Sequence, residues 1–391
     1  MARSRCGTRP GLCWKGLCWK LWGSTCSTTA MSADTAPGGS DEPVSNPTGF
    51  DLERVVPWLL SKCEWLASPF TWVKLAGGHS NLTYRVTDAN GEAIVVRRPP
   101  QGELLPSAHD MGREFKVLTA LWPTAVPVAE PLAFCDDKNV TGSLFYAMRA
   151  VEGISLYNSD QVEMQIPEEL RRSHGFHFID VLADLHALDP ADVGLGDLGR
   201  PDAYVGRQLK RWRASWDASK TIEEPNVASL HSFLADRTPE QGPARVVHGD
   251  YGLHNCVSNV HGRVAAVIDW EISTLGDALA DLAYAINAWG ERGEVSGRGV
   301  KPSLAPGYPS SKEMLERYAT RTGVDLSNIG FYVSFNHWKT VCIIDGVLAR
   351  YYQGQKSSEG VDLIGLAAGR DESLGKAIAA AEPLGYVRTH G

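Results

Sequence analysis

Apolar residues follow one period before about residue 153 and another after it, and this change restricts the chain to a two-part α+β design. Before the change, FTWVKLA (70–76), LTYRVT (82–87) and EAIVVRR (92–98) alternate apolar and polar side chains. Alternation puts every second side chain on one face, so each run predicts a half-buried strand. Asn90 and Gly91, between the last two runs, predict a tight hairpin in which both turn residues take positive φ. LAFCDD (132–137) and SLFYAMRAV (143–151) predict two more strands. Helices are expected over 51–66, with Val55, Leu59 and Leu60 on one side, and over 110–122, with Phe115, Leu118 and Leu121 inward. The expectation is an antiparallel sheet with a helix inserted after its third strand. Beyond 153, helical spacing dominates over 168–188, 202–216, 225–236, 277–289, 311–322 and 331–353. Two strand runs interrupt it, ARVVHGD (244–250) and RVAAVID (263–269). The division is then a small sheet-rich lobe over 50–152 and a larger helical lobe over 153–391, with a ligand cleft between them.

Residues 1–49 stand apart. Arg3, Arg5, Arg9, Lys15 and Lys20 are unaccompanied by any acidic residue up to position 31, and LCWKGLCWKL (12–21) is a short tandem repeat. The simplest reading is that translation starts at Met31, and a targeting segment is the other. Residues 32–49, rich in Ser, Pro, Gly, Asp and Thr, are expected to lack structure. The whole chain carries a net charge of −8, and outside the first 31 residues 33 basic face 46 acidic side chains, a net −13. An acidic balance argues against a nucleic-acid surface. No run reaches the ~18 apolar residues of a membrane span. Cys63, Cys135, Cys256 and Cys342 are scattered with no CxxC pair, which fits reduced thiols and a cytoplasmic protein.

The chemistry concentrates in His248-Gly249-Asp250-Tyr251-Gly252-Leu253-His254-Asn255, followed by Ile268-Asp269-Trp270-Glu271. On its own the first triplet equally fits a strand-end turn with Asp250 capping a helix. Asn255 five residues later and Asp269 nineteen residues later change the balance. One carboxylate to accept a hydroxyl proton, plus an amide oxygen and a second carboxylate to hold Mg²⁺, suit phosphoryl transfer. The spacing matches the kinase order of catalytic Asp, Asn and later metal-binding Asp. A rival reading takes His248, Asp250 and His254 as zinc ligands of a metal-dependent hydrolase, but leaves Asn255 and Asp269 without a role. More simply, His248 and His254 support the aspartates. In the small lobe, Gly77-Gly78-His79-Ser80-Asn81 lies between two strands, where glycines let backbone amides approach phosphate. Arg97 or Arg98 on the third strand reaches the cleft, with Glu114 as ion-pair partner.

These residues resemble the aminoglycoside phosphotransferase and choline kinase group of protein-kinase-like enzymes. Within it, the likeness is greatest to the kinase-like domain that precedes an acyl-CoA dehydrogenase in some longer chains. It is carried by GGHSNLTYRV (77–86), VVRRPP (95–100), Ala108-His109, Arg113-Glu114, VVHGDYGLHN (246–255), IDWE (268–271) and GDALADLA (276–283). The resemblance implies an ATP- and Mg²⁺-dependent kinase of a small molecule, with no nucleic-acid or membrane partner and a homodimer left open. It implies Asp250 as catalytic base and Asn255 and Asp269 as Mg²⁺ ligands. Gly77, Gly78, Ser80 and Asn81 become the phosphate loop, and Arg97 with Glu114 replaces the nucleotide-binding Lys and its partner. The backbone around Met148, Arg149 and Val151 becomes the adenine hinge, and Asp281 a brace for the catalytic loop. The sequence departs from the group in having Arg97 where Lys is usual, and a permanently charged, forked guanidinium is not equivalent to an ammonium. DFG and APE are absent, against a protein-phosphorylating kinase. A pseudokinase that only binds nucleotide or a partner is the alternative.

For the acceptor, GRQLKRWRASW (206–216) places Arg207 and Arg211, and Lys210 and Arg213, about one helical turn apart, with Trp212 and Trp216 among them. The pattern fits a solvated helix face with Trp turned to the core. It equally fits a site for an anionic acceptor such as a hydroxyacyl-CoA, against the aminoglycoside-like compound of the wider group.

Overall fold

The computed structural model describes residues 42–75, 81–101, 110–290, 301–355, 358 and 360–389. Gly77, Gly78 and Ser80 of the expected phosphate loop lie outside them, as do Ala108, His109 and residues 1–41.

Helix α1 (Leu52–Lys62) begins at Asp51, whose carboxylate accepts from the Glu53 N–H and satisfies an amide the first turn leaves unpaired. It buries Val55 and Leu59, while Leu60 is half-buried. Strands β1 (Thr71–Lys74), β2 (Leu82–Thr87) and β3 (Ala93–Arg98) follow, then α2 (Met111–Leu121), β4 (Pro131–Cys135), the single turn α3 (Lys138–Thr141) and β5 (Phe145–Arg149). The five strands form one antiparallel sheet in the order β1-β2-β3-β5-β4. Trp72, Tyr84, Val86, Ile94, Val96 and Phe145 make a core with Val55 and Leu59 of α1. Residues 42–49, expected without structure, lie against this sheet: the Val44 N–H donates to Trp72 O at 2.7 Å.

The β2–β3 turn differs from the expected two-residue hairpin. Gly91 N–H donates to Asp88 O at 3.2 Å, Asp88 N–H donates to Glu92 O at 2.9 Å, and of Asn90 and Gly91 only Gly91 has positive φ, 86°. The loop is therefore three residues long, closing with a left-handed glycine. The Asp88 carboxylate accepts from the amides of Asn90 and Glu92, both at 2.8 Å, so its side chain organises a longer turn than Asn-Gly alone predicts.

The large lobe contains β6 (Ile154–Ser155), α4 (Ser159–Gln165), α5 (Glu168–Ala187), α6 (Tyr204–Ser219), α7 (Pro225–Asp236), β7 (Arg245–Val247), β8 (Cys256–Ser258), β9 (Val264–Val267), β10 (Thr274–Gly276), α8 (Ala278–Ala288), α9 (Ser311–Thr322), α10 (Ile329–Tyr352) and α11 (Leu363–Ala381). β6-β8-β9 and β7-β10 form two small antiparallel sheets. The chain enters this lobe through Gly153, at φ 137°, where a Cβ would stand 2.5 Å from Ser258 O. Met111, Leu118 and Leu121 of α2 share one core with Phe178, Tyr251 and Trp270, so the inserted helix packs on the large lobe as well as its own sheet. A second core joins Trp212 and Trp216 of α6 to Trp338 of α10 and to Leu374 and Ile378 of α11. The architecture is the protein-kinase-like α+β fold. Cys63, Cys135, Cys256 and Cys342 are buried free thiols. Among the described residues no helix is long and apolar enough to cross a membrane.

Candidate active site

The loop after β7 carries the first motif. Gly249 sits at φ 84°, a left-handed conformation that disfavours any side chain. Asp281, in the first turn of α8, accepts the His248 N–H on one carboxylate oxygen and the Gly249 N–H on the other, both at 2.8 Å. These two bonds tie successive amides of the loop to α8. His186 Nε2 lies 3.3 Å from the same carboxylate. His248 has both ring nitrogens engaged: Nδ1 accepts the Asp250 N–H at 3.3 Å and Nε2 lies 3.0 Å from Ile268 O. Burial, only partly offset by Asp281, keeps its imidazole below the usual range and neutral. A zinc ion therefore finds no free nitrogen on His248. Among the described residues no group of three His, Cys, Asp or Glu side chains is placed to hold a metal.

Asp250 is 4% exposed. The Tyr284 hydroxyl donates to its Oδ1 at 2.7 Å, and Asn255 Nδ2 donates to its carbonyl at 2.9 Å and its Oδ2 at 3.1 Å. His254 Nε2 stands 3.6 Å from Oδ1. Burial alone would raise the carboxyl, but His254, Tyr284 and His248 outweigh it and bring it down to about 2. The group is a carboxylate at neutral pH, with both oxygens accepting hydrogen bonds.

Across the cleft, Arg97 projects from β3 onto three carboxylates. Its Nε lies 2.9 Å from Glu114 Oε2, and its Nη2 lies 3.0 Å from Asp269 Oδ1 and 3.9 Å from Glu271 Oε2. Burial pulls the guanidinium down, but Glu114, Tyr146 and Glu271 more than compensate and hold it above its ordinary range. Tyr146 OH donates to Glu114 Oε2 at 2.9 Å, and Asn81 Nδ2 lies 3.4 Å from Glu114 and 3.3 Å from Glu271. Arg98, its neighbour, points to the other face, where it donates to Gly49 O and to Thr141 O and stacks over Phe50. Strand alternation alone divides the pair, and Arg97 is the one in the cleft. Asp269 itself is strained, at φ 74°, ψ 57°.

The donor set fits Mg²⁺. Asp269 supplies a carboxylate, and Asn255, whose amide nitrogen is committed to Asp250, retains its side-chain oxygen. One guanidinium facing three carboxylates leaves negative charge that a divalent cation offsets, and all the donors are hard oxygens.

Beside Asp250 opens a cavity of about 340 Å³, lined by Arg113, Arg200, Arg207, Arg211 and Lys339 together with Tyr284 and Glu271. Two of the four cationic residues singled out on α6, Arg207 and Arg211, belong to it. The other two, Lys210 and Arg213, lie on the opposite side of the helix, beside a separate hollow with His231. Arg213 there pairs with Asp217 at 2.9 Å. Trp212 and Trp216 are buried, as expected of tryptophans turned to the core. Sequence reasoning gave no role to Arg113, Arg200, Tyr284 or Lys339. Arg113 reaches from α2 to Ser273 O at 2.6 Å. Lys339 is 8% exposed, its Nζ lies 4.7 Å above the Tyr284 ring, and burial draws its ammonium down to about 8. A buried lysine inside an apolar helical run, FNHWKTVC, was the available signal. In the expected hinge, Met148 and Arg149 lie in β5 and Val151 in the connector that follows. The Arg149 N–H donates to Glu130 O at 2.8 Å, and its side chain pairs with Glu92 at 2.9 Å and covers Trp65.

The sequence profile described as "Phosphotransferase enzyme family" matches residues 71–313, spanning both lobes and every motif within the described cleft. The chain belongs to that family. Among curated proteins it is similar to acyl-CoA dehydrogenase family member 11 of Gallus gallus, 35% identical over 294 residues that cover 73% of this chain and 37% of that one. It is also similar to acyl-CoA dehydrogenase family member 10 of Mus musculus, 32% identical over 322 residues, 78% of this chain and 29% of that one. The chain thus spans only about a third of the length of such relatives, 37% of one and 29% of the other. Among solved structures, a Ralstonia eutropha protein named a "putative aminoglycoside phosphotransferase" superposes with a TM-score of 0.73 at 29% identity, covering 85% of this chain and 99% of that one. Aminoglycoside phosphotransferase APH(4)-Ia, in a complex with ADP and hygromycin B, shares the fold at a TM-score of 0.52 and 15% identity, with the same coverage.

Proposed function

We propose that this chain transfers the γ-phosphoryl group of ATP, with Mg²⁺, to a hydroxyl of an anionic small molecule, with a hydroxyacyl-CoA as the best-fitting class. The observation that carries this reading is the cavity at Asp250, whose described lining holds five cationic side chains, Arg113, Arg200, Arg207, Arg211 and Lys339, and two carboxylates, Asp250 and Glu271. A polycationic aminoglycoside would meet like charge there, whereas phosphate or carboxylate groups would meet donors suited to them. Asp250 takes the proton of the acceptor hydroxyl as its oxygen attacks the γ-phosphorus, and ADP departs with the bonding electrons. Asn255 and Asp269 hold Mg²⁺, which neutralises charge on the phosphates. Arg97, steadied by Glu114, binds the α- and β-phosphates, and the family resemblance assigns Gly77, Gly78, Ser80 and Asn81 to the same phosphates. The backbone at 148–151 takes the adenine. The names of the curated relatives, acyl-CoA dehydrogenases, agree with a CoA-bearing acceptor, and four buried reduced thiols agree with the cytoplasm.

The test is incubation with ATP and Mg²⁺ and a panel of hydroxyacyl-CoA esters, kanamycin, choline and sugars, read by mass. Phosphate added to a hydroxyacyl-CoA is the expected outcome. Phosphorylated kanamycin with every CoA ester untouched would overturn the anionic reading. The Arg97–Asp269 pair favours one second reading, a pseudokinase whose metal ligand is held by a guanidinium. That reading predicts bound ATP and no turnover with any acceptor.

A further inference from the structure

Tyr284 has no part in the transfer described above, yet its hydroxyl makes one of the closest contacts to the proposed base, 2.7 Å from Asp250 Oδ1. Asn255 engages the other carboxylate oxygen and His254 Nε2 stands 3.6 Å from Oδ1, so a hydroxyl that reaches Oδ1 must displace the phenol. Tyr284 and Asp250 both line the acceptor cavity. Tyr284 is 6% exposed, and the Lys339 ammonium lies 4.7 Å above its ring. Burial and the adjoining Asp250 push the phenol well above its ordinary range, so it remains a proton donor throughout the neutral range. A phenol in this place presents to the carboxylate what an acceptor alcohol would present, an O–H donor.

We propose that Tyr284 is a positioning residue that caps Asp250 while the acceptor cavity is empty, so that water is not aligned for attack and ATP is conserved until an acceptor hydroxyl displaces the phenol. The inference rests on the phosphotransferase reading of the same site. Without the cap, water hydrogen-bonds Asp250 Oδ1. Its oxygen forms the new bond to the γ-phosphorus, the bond to the β-phosphate oxygen breaks, ADP leaves with that electron pair, and Asp250 takes the proton. Lys339, which lines the same cavity, holds the ring face through its ammonium.

The experiment measures ATP hydrolysis without acceptor, in Mg²⁺, for the full chain and for Tyr284→Phe, Lys339→Met and Asp250→Asn, with ATP binding followed by thermal shift. Tyr284→Phe keeps the ring and its volume and removes only the hydroxyl. Hydrolysis should rise about tenfold, the rate equivalent of one hydrogen bond that no longer has to be broken. Lys339→Met loosens the ring without deleting the hydroxyl and should raise hydrolysis by less, and Asp250→Asn should hydrolyse nothing. Hydrolysis in Tyr284→Phe at or below the wild-type rate, with ATP still bound, would overturn the cap while leaving the phosphotransferase reading in place. Should Tyr284→Phe fail to fold, an unchanged rate in Lys339→Met would overturn it. Absence of any ATP-induced shift in the wild type would instead sink the reading beneath it, and the cap with it.

Discussion

At the scale of single residues, the cleft is organised by charges that have been buried in company. Arg97 is 11% exposed at its side chain and faces Glu114 at 3% and Asp269 at 8%, so neither sign is left alone in a low dielectric. Removing one partner of such a set costs about 3–5 kcal/mol, because it strands the other charges. Arg97→Met should lower stability by roughly that amount in urea unfolding, and a change near zero would mean the carboxylates find other partners. Asp250 makes a prediction with a definite sign. Its carboxyl is depressed from an ordinary 3.8 to about 2, so the folded state favours the ionised form. That contribution is present above the ordinary value and is lost as pH falls towards 2. The stability difference between wild type and Asp250→Asn should therefore shrink over that acid window, and a difference constant with pH would contradict the depressed value.

At the scale of elements, each functional side chain depends on a local conformation. The turn that carries Asp250 exists because Gly249 adopts φ 84° while Asp281 ties down two successive amides. Gly249→Ala would place a Cβ 3.2 Å from Ile272 in a left-handed backbone. It should cost about 1–2 kcal/mol of stability, measured by denaturation, and suppress transfer by displacing Asp250. Helix α6 supplies a cleaner separation. Replacing Arg207 and Arg211 together with Gln should raise the acceptor KM by about tenfold or more, since hydrogen bonds to charged groups contribute about 1.5–3 kcal/mol each. The ATP KM should stay put, and the same change at Lys210 and Arg213 should alter neither. Equal effects from the two pairs would mean that the faces of α6 are not distinct. These elements were legible to different degrees. β2 over 82–87 and α7 over 225–236 coincide with their patterns, because apolar spacing there is set by a single buried face. Helix α11 was missed: Gly365, Gly369 and Gly375 dilute its periodicity, and it is held by packing on α10 and by the Arg370–Asp345 pair at 2.9 Å, long-range contacts with no local trace. The three-residue turn was misread because Asp88, upstream of Asn-Gly, dictates its length.

At the scale of the molecule, two lobes meet where Arg97 of the small sheet binds Asp269 of the large lobe and where α2 packs into both. That Asp250, Asn255 and Asp269 fall on one strand-and-loop unit was readable from spacing, since one turn and one hairpin separate them. The cavity beside Asp250 was not, because Arg113, Arg200, Arg207, Arg211 and Lys339 converge from three helices and a loop over more than two hundred residues of sequence. The central claim joins these two parts, a base from one loop and an anion site from many. The most direct measurement follows γ-labelled ATP with Mg²⁺ and a hydroxyacyl-CoA, in wild type and in Asp250→Asn, each first shown to bind ATP. Label appearing on the CoA ester with wild type alone is the result predicted. Label transferred equally well by Asp250→Asn would contradict it, because Asp250 would then not be needed to take the proton.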